Sequence, residues 1–151
     1  MCLGATGGKE CLAIMKKIRY FIPTFVIMII IFLFSQQNGQ ESTHTSLQVL
    51  LWFKNTFHIS IPTLIIRKVA HMSEYALLSL SLVYGFSKNH FSFKKIYFYS
   101  LLVSFLYACS DEFHQLFMNG RAGQLNDVFI DMIGSIFCLI CFYLYQKKQL
   151  K

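Results

Sequence analysis

Four long apolar stretches alternate with shorter polar connections along the chain, and their lengths decide the fold class. Ile18 to Phe34 is nearly uninterrupted, with Phe25-Val26-Ile27-Met28-Ile29-Ile30-Ile31-Phe32-Leu33-Phe34 at its centre. With Ser35 and its flanks it meets the length of about 20 residues that a helix rising ~1.5 Å per residue needs to cross the hydrocarbon core. Pro23 falls near the start of this run, where a helix tolerates it. No small-x-small cleavage pattern follows Phe34, so the run reads as a retained span rather than a signal peptide. Three further runs occupy residues 64–86, 96–117 and 127–145. Lipid offers the backbone no hydrogen bonds, and these runs are too long for barrel strands, so each is expected to be helical. The predicted fold is therefore an all-α membrane protein, a bundle of four transmembrane helices over approximately residues 18–35, 64–86, 96–117 and 127–145.

The connections add two expectations. Residues 35–63 form the longest polar stretch, and within it Leu47 to Phe53 is amphipathic enough for a short helix in the first outer loop, lying at the membrane interface with Trp52 as anchor. Residues 1–14 have no apolar period and hold three of the eight glycines, whereas Met15-Lys16-Lys17-Ile18-Arg19 reads like the natural start of a membrane protein. The expected organisation is thus an N-terminal tail over 1–14, upstream of a start at Met15 or dispensable, and one membrane domain over 15–151.

Composition supports lipid as the solvent. The chain is 55% hydrophobic and 14% charged, against roughly 25% charged residues in soluble domains. A fold of 151 residues has too much surface for its volume to hide that apolar area from water. The net charge of +7 does not mark a nucleic-acid binder, because the basic residues flank apolar runs and form no continuous face. They set orientation instead. Four spans place both termini and the turn at residues 87–95 on one side, with Lys9, Lys16, Lys17, Arg19, Lys88, Lys94, Lys95, Lys147, Lys148 and Lys151; the other side has Lys54, Arg67, Lys68 and Arg121. This bias predicts cytoplasmic termini.

The five cysteines do not form a disulfide framework. Cys2 and Cys11 precede the first run, while Cys109, Cys138 and Cys141 lie inside apolar runs, where Cys138-x-x-Cys141 reads as packing rather than redox or zinc chemistry. His44, His58 and His90 fall in loops and turns and are expected to be solvated.

The polar interruptions of the spans carry the chemistry. Lys68, His71 and Glu74 lie in the outer turns of the second span, Asp111 to Gln115 end the third, and Asp127 and Asp131 begin the fourth, with Ser35 and Gln37 at the same level after the first. Residues three or four apart share a helix face, which groups Lys68 with His71 and Tyr75, His71 with Glu74, Asp111 with His114 and Gln115, and Asp127 with Asp131. Glu74 and Asp131 should lie deepest. An ionisable group at depth costs a few kcal/mol, so it is expected to face the bundle interior beside a partner, here Lys68, Arg121 or a histidine.

These same residues carry a resemblance. Arg67-Lys68-Val69-Ala70-His71-Met72-Ser73-Glu74-Tyr75 resembles the K-x-x-H-x-x-E-Y signature of VanZ-like proteins. Asp111-Glu112-Phe113-His114-Gln115, then Gly120-Arg121, Asp127-Val128 and Gly134, resembles that family's second signature, and Ser35 and Gln37 also fit its pattern. The resemblance covers roughly residues 15–145; Asn119 departs from it, standing where the family often has a proline, which bears on the turn geometry. It implies a protein of the bacterial plasma membrane and cell envelope. The family's namesake is linked to resistance to teicoplanin, a lipoglycopeptide that binds peptidoglycan precursors outside the cell.

Several functions fit this cluster. It could be a structural network in which Lys68, Arg121 and the acids neutralise one another. It could bind an anionic envelope group, such as the phosphate or carboxylate of a lipid-linked precursor, with Arg67, Lys68 and Arg121 as contacts and Arg121 able to make a bidentate pair. His71, Tyr75, Glu112, Gln115, Asp127, Asp131, Ser35 and Gln37 would complete that site. It could be an enzyme for a lipid-linked substrate, with Glu74 or His114 as general acid or base and Asp111 orienting His114. A metal variant would use His71, Glu74, Asp111, His114 and Asp127, although no cofactor is expected. A transport pathway would need an oligomer, because the inner halves of the helices carry no ionisable residue.

Overall fold

The computed structural model describes residues 14–58, 61–121 and 123–149, and among these the chain is entirely helical. Five α-helices follow one another: α1 (Ile22–Ser35), α2 (Gly39–Phe57), α3 (Thr63–Lys88), α4 (Phe93–Gln115) and α5 (Leu125–Gln149). A 3-10 turn at Arg19–Phe21 precedes α1, and the helical run as a whole extends over Ile14–Ser35. The expected tail over residues 1–14 lies, except for Ile14, outside the described residues.

The boundaries have local causes. Pro23 sits in the first turn of α1, where its missing N–H is no loss. Asn38 caps α2: its side chain accepts from the Glu41 N–H, while the Glu41 carboxylate accepts from the Asn38 N–H. Two otherwise unpaired donors are satisfied by this capping box. The helix it starts runs 19 residues, where the apolar pattern alone predicted a short helix over Leu47 to Phe53. The polar residues between Asn38 and Ser46 hide this extension, because it has no apolar period. His58 ends α2 in the left-handed region, at φ 55°. At its far end α5 continues to Gln149, beyond the span expected over 127–145, since Gln and Lys are good helix formers and cations favour a helix C-terminus.

The long central helix α3 packs on each of the other four. Its most extensive contact is with α5, and Gly134 permits it: a Cβ there would run into the Met72 carbonyl. Tyr75, Leu78 and Leu82 of α3 meet Ile31, Ala108, Val128 and Met132 in the main core. In the same seam the Ser79 and Ser104 hydroxyls lie 2.9 Å apart, and Ser135 Oγ donates to the Tyr75 carbonyl. A second cluster, Val83, Ile96 and Leu139, closes the opposite end.

The outside of the bundle is apolar. Phe25, Ile29 and Leu33 of α1 and Phe129, Phe137 and Ile140 of α5 are exposed. A continuous face of this kind requires an apolar surround. Among the described residues two helices are long and apolar enough to cross a membrane, Ile14–Ser35 and Leu125–Gln149. At 26 and 23 residues α3 and α4 have the length, and their charged ends set them apart: Arg67, Lys68, Glu74 and Lys88 in α3, and Lys94, Lys95, Asp111 and Glu112 in α4.

Candidate functional site

At one end of the bundle α1 and α4 finish while α3 and α5 begin, so four helix termini deliver polar residues to one layer. The α4–α5 loop closes over this layer and is fastened to α2, whose Gly39 N–H donates to the Asn119 carbonyl at 3.0 Å. Gly39 is required there, because a Cβ would strike the Gly120 carbonyl, and Gly120 itself has a φ of 73° that favours glycine. This fastening holds Arg121 above the end of α1.

The layer divides into two compartments. The first is a cavity of about 230 Å³ between α1, α2, α3 and the loop, lined by Arg67, His71, Glu74 and Arg121 together with hydroxyls of α2 and apolar side chains. Arg121 reaches the Ser35 and Phe34 carbonyls only at 3.4 Å, and its Nε has no partner. Burial, and then the facing Arg67 guanidinium, pull its pKa below the usual arginine value, while Asp111, Glu112 and Glu74 oppose the shift. It remains a cation, as arginine does throughout the accessible pH range. Among the described residues no carboxylate lies within ion-pair distance of either guanidinium. His71 Nδ1 and Glu74 Oε2 are 3.6 Å apart, close enough for an ion pair if the ring is protonated and too far for a hydrogen bond, and both atoms are buried without a partner.

The second compartment, also of about 230 Å³, lies between α1 and α4 and is lined by Tyr107, Ser110, Asp111 and His114 with three phenylalanines. Asp111 accepts from Gln115 at 3.2 Å. His114 stacks on Phe32 with ring centroids 5.1 Å apart, and its Nε2 is buried and unpartnered. Ser35 is fully buried with its side chain against Asp111, and its hydroxyl makes no hydrogen bond of full geometry.

Other expected site residues fall outside both cavities. Lys68 turns toward α5 and bonds Asp127 at 3.0 Å, partly exposed on the rim. Glu112 accepts from the Gln124 N–H at 2.9 Å and so secures the start of α5. Tyr75 and Asp131 lie deeper, at 0% and 1% exposure, and neither the phenol nor either carboxylate oxygen has a partner. Gln37 lines the first cavity. His71, Glu74, Asp111, His114 and Asp127 are not drawn into one shell: among the described residues no three acids, histidines or cysteines gather at metal-holding distance. Cys109, Cys138 and Cys141 are free thiols. His44 lies within α2 rather than in a loop.

The α2 wall of the first cavity was not foreseen. Ser42, Thr45 and Ser46 face it, with Ser42 and Ser46 buried. The Asn38-x-x-Glu41 pair was the available signal, since a helix begun there carries these hydroxyls on one face.

A search of curated proteins and a search of solved structures each gave no match. A scan against protein-family models matches VanZ/LLP1 over residues 20–146, which takes in every helix that builds the polar layer. With two helices of membrane-crossing length and apolarity and this match over most of its length, the chain is a membrane protein and belongs to the VanZ/LLP1 family.

Proposed function

We propose that this protein is a four-span protein of the bacterial plasma membrane that holds an anionic group of a cell-envelope lipid or precursor in the cavity between Arg67 and Arg121. The lengths of α3 and α4 support four spans, because each can cross the hydrocarbon core with its charged residues left near the two faces. The excess of Lys and Arg on the side of the termini supports cytoplasmic termini and an outward-facing polar layer. An interfacial position suits α2, with Leu47, Leu51, Trp52 and Phe57 exposed and Ser42 and Ser46 buried against the bundle. The family's association with glycopeptide resistance fits a role in the envelope outside the membrane.

The observation that carries the binding reading is the pair of guanidiniums lining one small cavity without a carboxylate partner. Had the cluster been purely a structural network, Arg121 would be expected to hold one of the nearby acids, as Lys68 holds Asp127. Two like charges facing one small cavity repel each other, and a bound anion relieves that repulsion. The place of Glu74 in the same cavity favours a second reading, in which it acts as general acid or base on the bound lipid.

The test is native mass spectrometry of the purified protein with anionic and zwitterionic lipids of equal chain length. Anionic lipid should be retained preferentially, and Arg121→Lys should weaken the retention, because a point charge replaces a planar fork. Equal retention of both lipids would sink the reading.

A further inference from the structure

The cavity's donors are more specific than an anion site in general requires. Arg67 and Arg121 supply two guanidinium charges, and His71 adds an imidazole from the same wall. A carboxylate or a phosphodiester offers one negative charge and two terminal oxygens. A phosphomonoester carries a charge of about −1.5 to −2 near pH 7 and three strong acceptor oxygens. Two guanidinium cations and one imidazole N–H donor around about 230 Å³ match the second set. The guanidiniums are also able to give bidentate bonds that fix a phosphate's orientation. Glu74 shares the cavity on His71's side, 3.6 Å from Nδ1, and forms no ion pair with either arginine.

The rest of the lining is amphiphilic. Phe34 of α1, Val49 of α2 and Ile66 of α3 complete the cavity, and Phe34 and Val49 are themselves exposed on the apolar outside of the bundle. A free ion would gain nothing from that wall, whereas the hydrocarbon next to a headgroup would bury against it. The hydroxyls of Thr45 and Ser46 donate to the Glu41 and Ser42 carbonyls of their own helix, so they present acceptor lone pairs to the cavity. The charged donors therefore come from the α3 and loop side alone, with the Gln37 amide and the Ser42 hydroxyl as neutral donors across from them.

We infer that the cavity is selective for a terminal phosphomonoester on a long apolar chain, held by Arg67, Arg121 and His71 with its tail leaving past Phe34, Val49 and Ile66. This rests on the anion-binding reading above and narrows it from anionic groups to one class. Phosphodiester headgroups, carboxylates and free phosphate are correspondingly poor ligands.

The experiment measures equilibrium binding to the full chain in phosphatidylcholine nanodiscs at pH 7.5. The probes are phosphatidic acid as lipid monoester, phosphatidylglycerol as lipid diester of the same chains, and inorganic phosphate. The monoester should bind about tenfold more tightly than the diester, the worth of one added charge-assisted hydrogen bond. Arg67→Gln and Arg121→Gln should each erase that ratio, and Lys54→Gln, an exposed cation on α2 away from the cavity, should keep it. The wild-type ratio decides the matter even if a glutamine variant misfolds. Equal, arginine-dependent affinity for both lipids would overturn the monoester inference and leave the anion site standing. Inorganic phosphate binding as tightly as phosphatidic acid would overturn the role given to the apolar tail. Affinities that ignore both arginines would overturn the inference together with the site it rests on.

Discussion

The middle of the bundle and its polar end use polar residues in opposite ways. In the middle the polar groups are small hydroxyls close to the backbone: Ser79 meets Ser104, Ser81 donates to the Leu78 carbonyl and Ser135 to the Tyr75 carbonyl. Such groups let helices approach closely, and these four are satisfied on the spot, while the Ser100 hydroxyl of α4 is buried without a partner. At the polar end the side chains are long and ionisable, and many find nothing: Arg121 Nε, His71 Nδ1, Glu74 Oε2, His114 Nε2 and both oxygens of Asp131 are buried without a partner. Buried polar groups are ordinarily paired, so a concentration of exceptions points to function rather than to packing. Within the polar end the contrast repeats, because Lys68 pairs with Asp127 at the rim while Arg121 pairs with no acid among the described residues.

Four substitutions test this contrast. Gly134→Leu should have the largest effect. It forces a side chain against the Met72 carbonyl, separates α3 from α5, and should cost about 3 kcal/mol. A collapse in yield and thermal midpoint in detergent checks it; a wild-type midpoint would mean the close helix contact is wrong. Arg121→Gln should instead leave the thermal midpoint of the unliganded protein near wild type and weaken anionic lipid binding about tenfold. Loss of folding with no change in residual affinity would make Arg121 a structural residue.

Asn38→Ala removes the cap of α2 and should cost about 1 kcal/mol. Because α2 forms the hydroxyl wall of the cavity, faster amide exchange should be confined to its first turns and relieved by bound anionic lipid. Uniform exchange across the bundle would deny α2 that local role. Ser79→Ala should be the mildest, at about 0.6 kcal/mol, with lipid binding untouched. A binding defect there would show that the middle and the polar end are coupled.

Much of the helical layout was legible because apolar length and helix spacing are local properties. The segments around residues 64–86, 96–117 and 127–145 became helices with modest changes at their ends, and the motif residues do converge on one layer. The partition of that layer was not legible. Lys68 and His71 share a helix face by spacing, yet three residues turn a helix by about 300°, and the remaining offset sends Lys68 to α5 and His71 into the cavity. Asp111 and His114 likewise share a face and line a cavity separate from that of Glu74. Such choices depend on how neighbouring helices cross, which no single segment encodes. The length of α2 was written in the Asn38–Glu41 pair and obscured by the polar residues after it.

The central claim is that the Arg67–Arg121 cavity holds the anionic head of a lipid. The most direct measurement is phosphorus NMR of the purified protein with a phosphate-bearing lipid. A bound resonance distinct from that of free lipid is expected in wild type and in Lys54→Gln, with its return to the free position in Arg121→Gln. A bound resonance that persists unchanged in Arg121→Gln would contradict that claim.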